Sequence, residues 1–167
     1  MRAFTLFTLA CLSLLVSACR EAAPISASQV PPADDQIALD TLLEFFGHLH
    51  DGRYSEAADL YGGTYKTMIE HNPDLDLEDH AALLQNACTI NGAQCLQVRT
   101  AVLKNQPSPT EFAFDVEFET KDGSVFVLGP CCGASESDQP SKSVFIVTVI
   151  ETAEGNFLVL DMPPYLP

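Results

Sequence analysis

The side chains best equipped for chemistry in this sequence are two adjacent cysteines, Cys131 and Cys132, and a group of tyrosines and acids spread along its middle. Adjacent thiols flanked by Gly129-Pro130 and Gly133 can close a small disulfide ring, because glycine and proline license a tight, distorted turn. Such a ring is strained and easily reduced, so the pair reads as a loop-rigidifying disulfide, with a redox or soft-metal dithiol as the alternative. His48-Leu49-His50 would project both imidazoles to one side of a strand, but on a helix they diverge by roughly 160°, which argues against a zinc site. The run Asp74-Leu75-Asp76-Leu77-Glu78-Asp79 looks like the start of a calcium loop. That loop needs glycine at its sixth position and glutamate at its twelfth, where this chain has Asp79 and Gln85. Helix capping and dipole complementation explain these acids more simply. Tyr54, Tyr61 and Tyr65 can line a cavity with Asp161 nearby. No phosphate-binding loop, serine elbow, zinc-protease helix or dinucleotide fingerprint is present, so neither a metal nor a cofactor is expected and no catalytic residue is assigned.

The 167 residues suit one domain. Eight Lys and Arg against 23 Asp and Glu give a net charge of −15. That balance excludes nucleic acid and anionic membrane surfaces as partners, since both reward basic patches. An apolar content of 47% with ten Phe is enough to build a core.

The N-terminus supplies an address. Arg2 is followed by an apolar run over residues 3–16, of export-signal length and short of the roughly 20 residues a membrane span needs. The run ends in Val16-Ser17-Ala18-Cys19. This resembles the lipobox of bacterial lipoproteins: a branched apolar residue, two small residues that let the peptidase approach, and the cysteine whose thiol takes the lipid. The resemblance implies a signal peptide over residues 1–18, lipidation at Cys19, and anchoring to a bacterial membrane on its extracytoplasmic side. Arg20 in place of Asp after that cysteine implies onward sorting to the outer membrane in an organism with two membranes. Without the signal, seven basic residues face 23 acidic ones, a charge of −16. So acidic a surface is repelled by anionic lipid, and the acyl chains must do the holding. Residues 19–35, with three Pro, small side chains and no aromatics, read as a flexible tether that reaches about 50 Å when extended.

Four cysteines then remain in an oxidising compartment, Cys88, Cys95, Cys131 and Cys132, and an even number reads as two disulfides. If the first three strands form a meander, Cys95 begins the first and Cys131 ends the third at the opposite end of the sheet, roughly 19 Å away. A disulfide needs Cα atoms within about 7 Å, which favours Cys88–Cys95 and leaves Cys131 to Cys132.

The elements that must position these groups change period along the chain. Asp34 or Asp35 can cap a first helix, in which Leu39, Leu42, Leu43, Phe46 and Leu49 share a face and Asp51-Gly52 is the break. A second helix is expected over 54–61, with Tyr54, Ala57, Ala58 and Tyr61 on one side and Gly62-Gly63 as its end; residues 64–69 can add a turn. The third is expected over 77–88, capped by Asp76, with Leu77, Ala81, Leu84 and Cys88 as its buried stripe. From Cys95 the period becomes two. Leu96, Val98, Thr100 and Val102 alternate, and then Phe112, Phe114, Val116 and Phe118 oppose Glu111, Asp115, Glu117 and Glu119. Asp122-Gly123 signals a hairpin into a strand over 125–128, and further strands are expected over 144–150 and 157–161. The proline-rich end cannot extend the sheet.

Helices followed by a strand meander give an α+β fold: three N-terminal helices on a curved, mostly antiparallel sheet of four to five strands, over residues 36–167. This order, with DGRYSEAADLY opening the second helix and a final strand ending in proline, resembles the nuclear-transport-factor-2-like, ketosteroid-isomerase-type (cystatin-like) roll. The resemblance implies a cone between helices and sheet, with Tyr54, Tyr61, Tyr65, Phe112, Phe114 and Phe118 as candidate lining residues. Enzymes of that family place an Asp or His base in the cone; here all four His precede residue 81, in the helical half. The expectation is a non-catalytic module that takes a small apolar ligand in the cone or a basic protein partner on the acidic sheet face. An isomerase- or hydrolase-type enzyme is the alternative.

Overall fold

The computed structural model describes residues 33–166; the export segment, Cys19 and the tether as far as residue 32 lie outside the described residues. Within them are four α-helices and a four-stranded antiparallel sheet, an α+β arrangement.

Helix α1, Asp34–Asp51, buries Ala38, Leu42, Phe45, Phe46 and Leu49. It begins two residues ahead of the expected domain boundary. Its cap is Ala33, without a side-chain bond, so Asp34 and Asp35 sit inside the first turn, where their charge complements the helix dipole. Leu43, expected on the buried face, is exposed, and Phe45 takes that place. Gly52 ends the helix at φ 74°, donating its N–H to the His48 and Leu49 carbonyls.

Helix α2, Tyr54–Leu60, is close to expectation, and α3, Lys66–His71, is a separate short helix where only an added turn was expected. Helix α4, His80–Thr89, starts three residues later than the acid pattern suggested. Two aspartates three residues apart compete for the cap. Asp79 accepts from the Ala82 N–H at 3.0 Å, whereas Asp76 folds onto the Glu78 N–H at 3.1 Å within a turn. Leu77 is therefore 51% exposed, and the buried stripe is Leu83, Leu84 and Ala87, with Ala81 and Cys88 at its margin.

The strands β1 (Gln97–Ser108), β2 (Glu111–Glu119), β3 (Phe145–Glu151) and β4 (Phe157–Val159) lie in sequence order. In β2, Phe112, Phe114, Val116 and Phe118 face α1, as the alternation required. Strand β1 does not keep its period. A register shift between Val98 and Thr100 pairs Ala101 with Val116 on the inner face and turns Val102 outward, 65% exposed. The expected strand over 125–128 forms only isolated pairings, Glu119 with Val125 and Leu128 with Lys142. β2 has one edge beyond β1, and β3 occupies it from Glu111 to Val116, which leaves that segment only Phe118 and Glu119.

The core lies between α1 and the inner sheet face. Aromatic rings run through it in edge and stacked contacts, from Phe145 to Phe118 (5.8 Å between centroids), Phe46 (5.0 Å), Phe45 (5.0 Å), Tyr61 (5.7 Å) and Tyr65 (5.0 Å). Where α2 ends, the chain runs beside β4: Tyr61 bridges Val159, and the Gly62 N–H donates to the Val159 carbonyl at 2.9 Å. A Cβ on Gly63 would collide with the Leu160 carbonyl and the Tyr61 ring, so only glycine allows this approach.

Candidate ligand cavity

A cavity of about 340 Å³ opens where three distant stretches meet: the end of α2 with α3, the end of α4 with its following loop, and the chain beyond β4. Met68, Ala87, Ala93, Leu160 and Met162 give it apolar walls. Tyr61, His71, Asn91 and Asp161 supply most of its polar groups. The volume falls at the small end of the range for small-molecule sites, about 300–1,000 Å³.

The polar groups are held by hydrogen bonds to the surrounding chain. Asp161 accepts the Thr148 N–H at 2.7 Å, and the Tyr61 hydroxyl donates to the Thr64 carbonyl at 3.3 Å. Asn91 is positioned by a buried amide relay in which Asn86 donates to Asn72 Oδ1 at 2.9 Å. Asn72 in turn donates to Asn91 Oδ1 at 3.0 Å and to the Met68 carbonyl at 2.7 Å. The proline-rich terminus closes one wall. It leaves the sheet, as proline requires, and pairs with residues 92–94 through Gln94 N–H to Pro164 O (2.7 Å) and Leu166 N–H to Gly92 O (3.0 Å).

Burial, reinforced by the Asp161 charge, pushes the Tyr61 phenol from 10.0 up to about 12. Burial first, and then the charges of Tyr61 and Asp59, do the same to Tyr65. The Tyr65 ring stacks on His80 at 3.9 Å, and its hydroxyl has no hydrogen-bond partner among the described residues. In both tyrosines the folded state holds the phenol proton more tightly than the unfolded chain. Stability from the neutral phenols is thus complete below pH 10 and falls as the pH rises from about 10 through about 12. Thermal unfolding across that window is expected to show a steep alkaline decline, and the Tyr61→Phe, Tyr65→Phe double variant is expected to flatten it.

Of the expected lining residues, Tyr61 is in the cavity wall and Tyr65 stands behind it, packed on Tyr61. Tyr54 borders a separate surface depression beside His50 and Cys95. Phe112, Phe114 and Phe118 are fully buried in the core and fill the space between α1 and the sheet. Asp161, expected near the tyrosines, is in the wall, while His71, Asn91, Leu160, Met162 and Pro163 carry no local pattern that marks them as a site.

The histidine pair separates as a helix dictates. His48 is buried with Nε2 3.4 Å from Glu44 Oε1, and His50 Nδ1 lies 3.3 Å from the Cys95 carbonyl. Among the described residues no group of three or more His, Cys, Asp or Glu is placed to hold a metal ion, and no helix is long and apolar enough to cross a membrane. The acidic face of β2 is matched within the sheet: Asp115 pairs with Lys104 at 3.0 Å, Glu119 with Arg99 at 3.3 Å, and Glu117 accepts from Thr100 at 3.1 Å.

Cys88 and Cys95 form a disulfide with Cα atoms 5.5 Å apart, stapling α4 to the segment before β1. Cys131 and Cys132, expected as a second bridge, are free thiols with their sulfurs 2.9 Å apart; a closed bond needs about 2.05 Å. The hydrogen bond to Cys131, and then the charge of that neighbour, raise the Cys132 thiol above the ordinary range. No protein-family model, curated protein or solved structure matches the chain.

Proposed function

We propose that this protein is a lipid-anchored extracytoplasmic module, tethered through Cys19, that captures a small and largely apolar ligand in the cavity between α3, α4 and the C-terminal segment. The observation that carries this reading is the cavity itself: apolar walls, a few fixed polar groups and a volume suited to one small molecule. A polar end on the ligand would meet Asn91 and Asp161, while its apolar body would lie against Met68, Ala87 and Met162. The order of helices and strands supports a roll of the nuclear-transport-factor-2-like type, but the cavity lies beside α3 and the end of α4 and not in the cone between α1 and the sheet, which Phe112, Phe114 and Phe118 fill. A basic protein partner on the sheet is the weaker reading, because Asp115 and Glu119 already have cationic neighbours.

Native mass spectrometry of the full-length protein, extracted from the membranes of a bacterial host, tests both parts. The expected mass carries diacylglycerol on Cys19 and a reproducible small-molecule adduct. Thr67 is exposed on α3 and borders the cavity, so Thr67→Trp is expected to fill the opening and lower adduct occupancy at least tenfold while the fold remains intact. An unlipidated mass would remove the anchor. An adduct indifferent to Thr67→Trp would remove the cavity as its site. Chemical conversion of the captured ligand, lost on Asp161→Asn, would replace binding with an isomerase- or hydrolase-type activity.

A further inference from the structure

The loop that joins residues 125–128 to β3 is long, yet it is internally braced. It is pinched at its base by the Leu128–Lys142 pairing, with both N–H groups donating across at 2.9 Å. Inside, the Cys131 N–H donates to Gln139 Oε1 at 3.1 Å, the Ala134 N–H donates to the Cys131 carbonyl at 3.0 Å, and Ser141 donates from backbone and hydroxyl to the Glu136 carboxylate. These bonds hold Cys131 and Cys132 in the loop with their sulfurs in contact at 2.9 Å and Cys132 exposed. Cys132 has φ 61° and Gly133 φ 85°, a left-handed pair of residues in which the cysteine bears the steric cost. That cost persists in the thiol state because the loop is tied on both sides of it.

We propose that Cys131 and Cys132 form an accessible two-electron dithiol site that closes to a vicinal disulfide by exchange with a small-molecule or protein disulfide and is reopened by thiols, independently of Cys88–Cys95. In the closing direction the Cys132 thiolate attacks one sulfur of the donor disulfide, giving a mixed disulfide and expelling one donor thiolate. The Cys131 sulfur then attacks the Cys132 sulfur and expels the second donor thiolate. The two protons lost by the cysteines end on the two donor thiols, so two protein thiols are oxidised as one donor disulfide is reduced.

Covalent geometry makes the step reversible. Neighbouring Cα atoms across a trans peptide are held about 3.8 Å apart, short of the 4.4–6.8 Å span of ordinary disulfides, so the closed ring is strained and reopens readily. Cys88–Cys95 has Cα atoms 5.5 Å apart, within that span, and both of its cysteines are partly buried. The chain thus carries one structural bridge and one pair placed for exchange.

The test uses the full-length protein in mixtures of reduced and oxidised glutathione, quenched with acid, labelled with N-ethylmaleimide and read by peptide mass. The peptide holding residues 131–132 is expected to move reversibly between a doubly labelled form and an unlabelled form two hydrogens lighter than the free dithiol, at ratios where Cys88 and Cys95 remain unlabelled. Cys131→Ser is expected to trap one glutathione on Cys132. Double labelling at every ratio, accumulation of two glutathiones without ring closure, or simultaneous opening of both cysteine pairs would each overturn the proposal.

Discussion

Truncating Phe46 to alanine is expected to destabilise the domain by about 3–5 kcal/mol, the range for removing a fully buried phenylalanine and leaving its cavity behind. Phe46 is the ring through which α1 is joined to the sheet. It packs edge-on against Phe45 within the helix and edge-on against Phe118 in β2, both at 5.0 Å. Its loss strips contacts from both neighbours, and neither can close the gap easily: Phe45 is stacked on Tyr61, and Phe118 is fixed by strand pairing to Val98. Denaturant unfolding should show a lower midpoint with the slope retained. Leu43→Ala on the same helix, at an exposed position, should change stability by less than about 0.5 kcal/mol. Equal losses at the two positions would mean that α1 does not pack on the sheet as described.

The second large effect is expected at the Cys88–Cys95 bridge. It closes a short loop with a sequence separation of 7, and chain-entropy reasoning assigns such a loop about 2–3 kcal/mol. Its removal in a Cys88→Ala, Cys95→Ala double variant should also reach the cavity, because Ala87 and Ala93 lie in its wall on either side of the staple. The bridge holds residues 91–94 where the Ala93 N–H can donate to the Ala87 carbonyl and the Gln94 N–H to Pro164. Without it the terminal segment loses part of its anchor. The expected result is a lower unfolding midpoint together with weaker retention of the bound adduct. A variant equally stable but unable to hold the adduct would place the role of the bridge in the site alone.

Sequence patterns were sufficient wherever the deciding interactions are local. The spacing of Leu42, Phe46 and Leu49, closed by Asp51-Gly52, specifies α1, since a helix needs only one continuous apolar stripe and a residue that can adopt positive φ at its end. The alternation of Phe with acids over Glu111–Glu119 specifies β2 and its two faces for the same reason. Six residues separate Cys88 from Cys95, and their pairing was expected, although the third strand used to exclude the alternatives forms only isolated pairings.

Other features required the assembled chain. Asp76 and Asp79 are equivalent as caps in sequence; the turns over 73–79, anchored beside buried Asn72, select Asp79. The segment over 125–128 has strand composition, but β3 already occupies the edge of β2 that it would need. Tyr61 could be read as a lining residue with Asp161 nearby, whereas His71 and Asn91 could not. The cavity exists only because α3, the end of α4 and the chain beyond β4 meet around it. The sequence by itself determined the first two helices, the best strand and the short disulfide. Those depend on composition, period and neighbours a few residues away. Tertiary structure alone decided which strand takes an edge, which aspartate caps a helix and where a cavity is left, because each of these is a competition among groups far apart in the chain for one place in space.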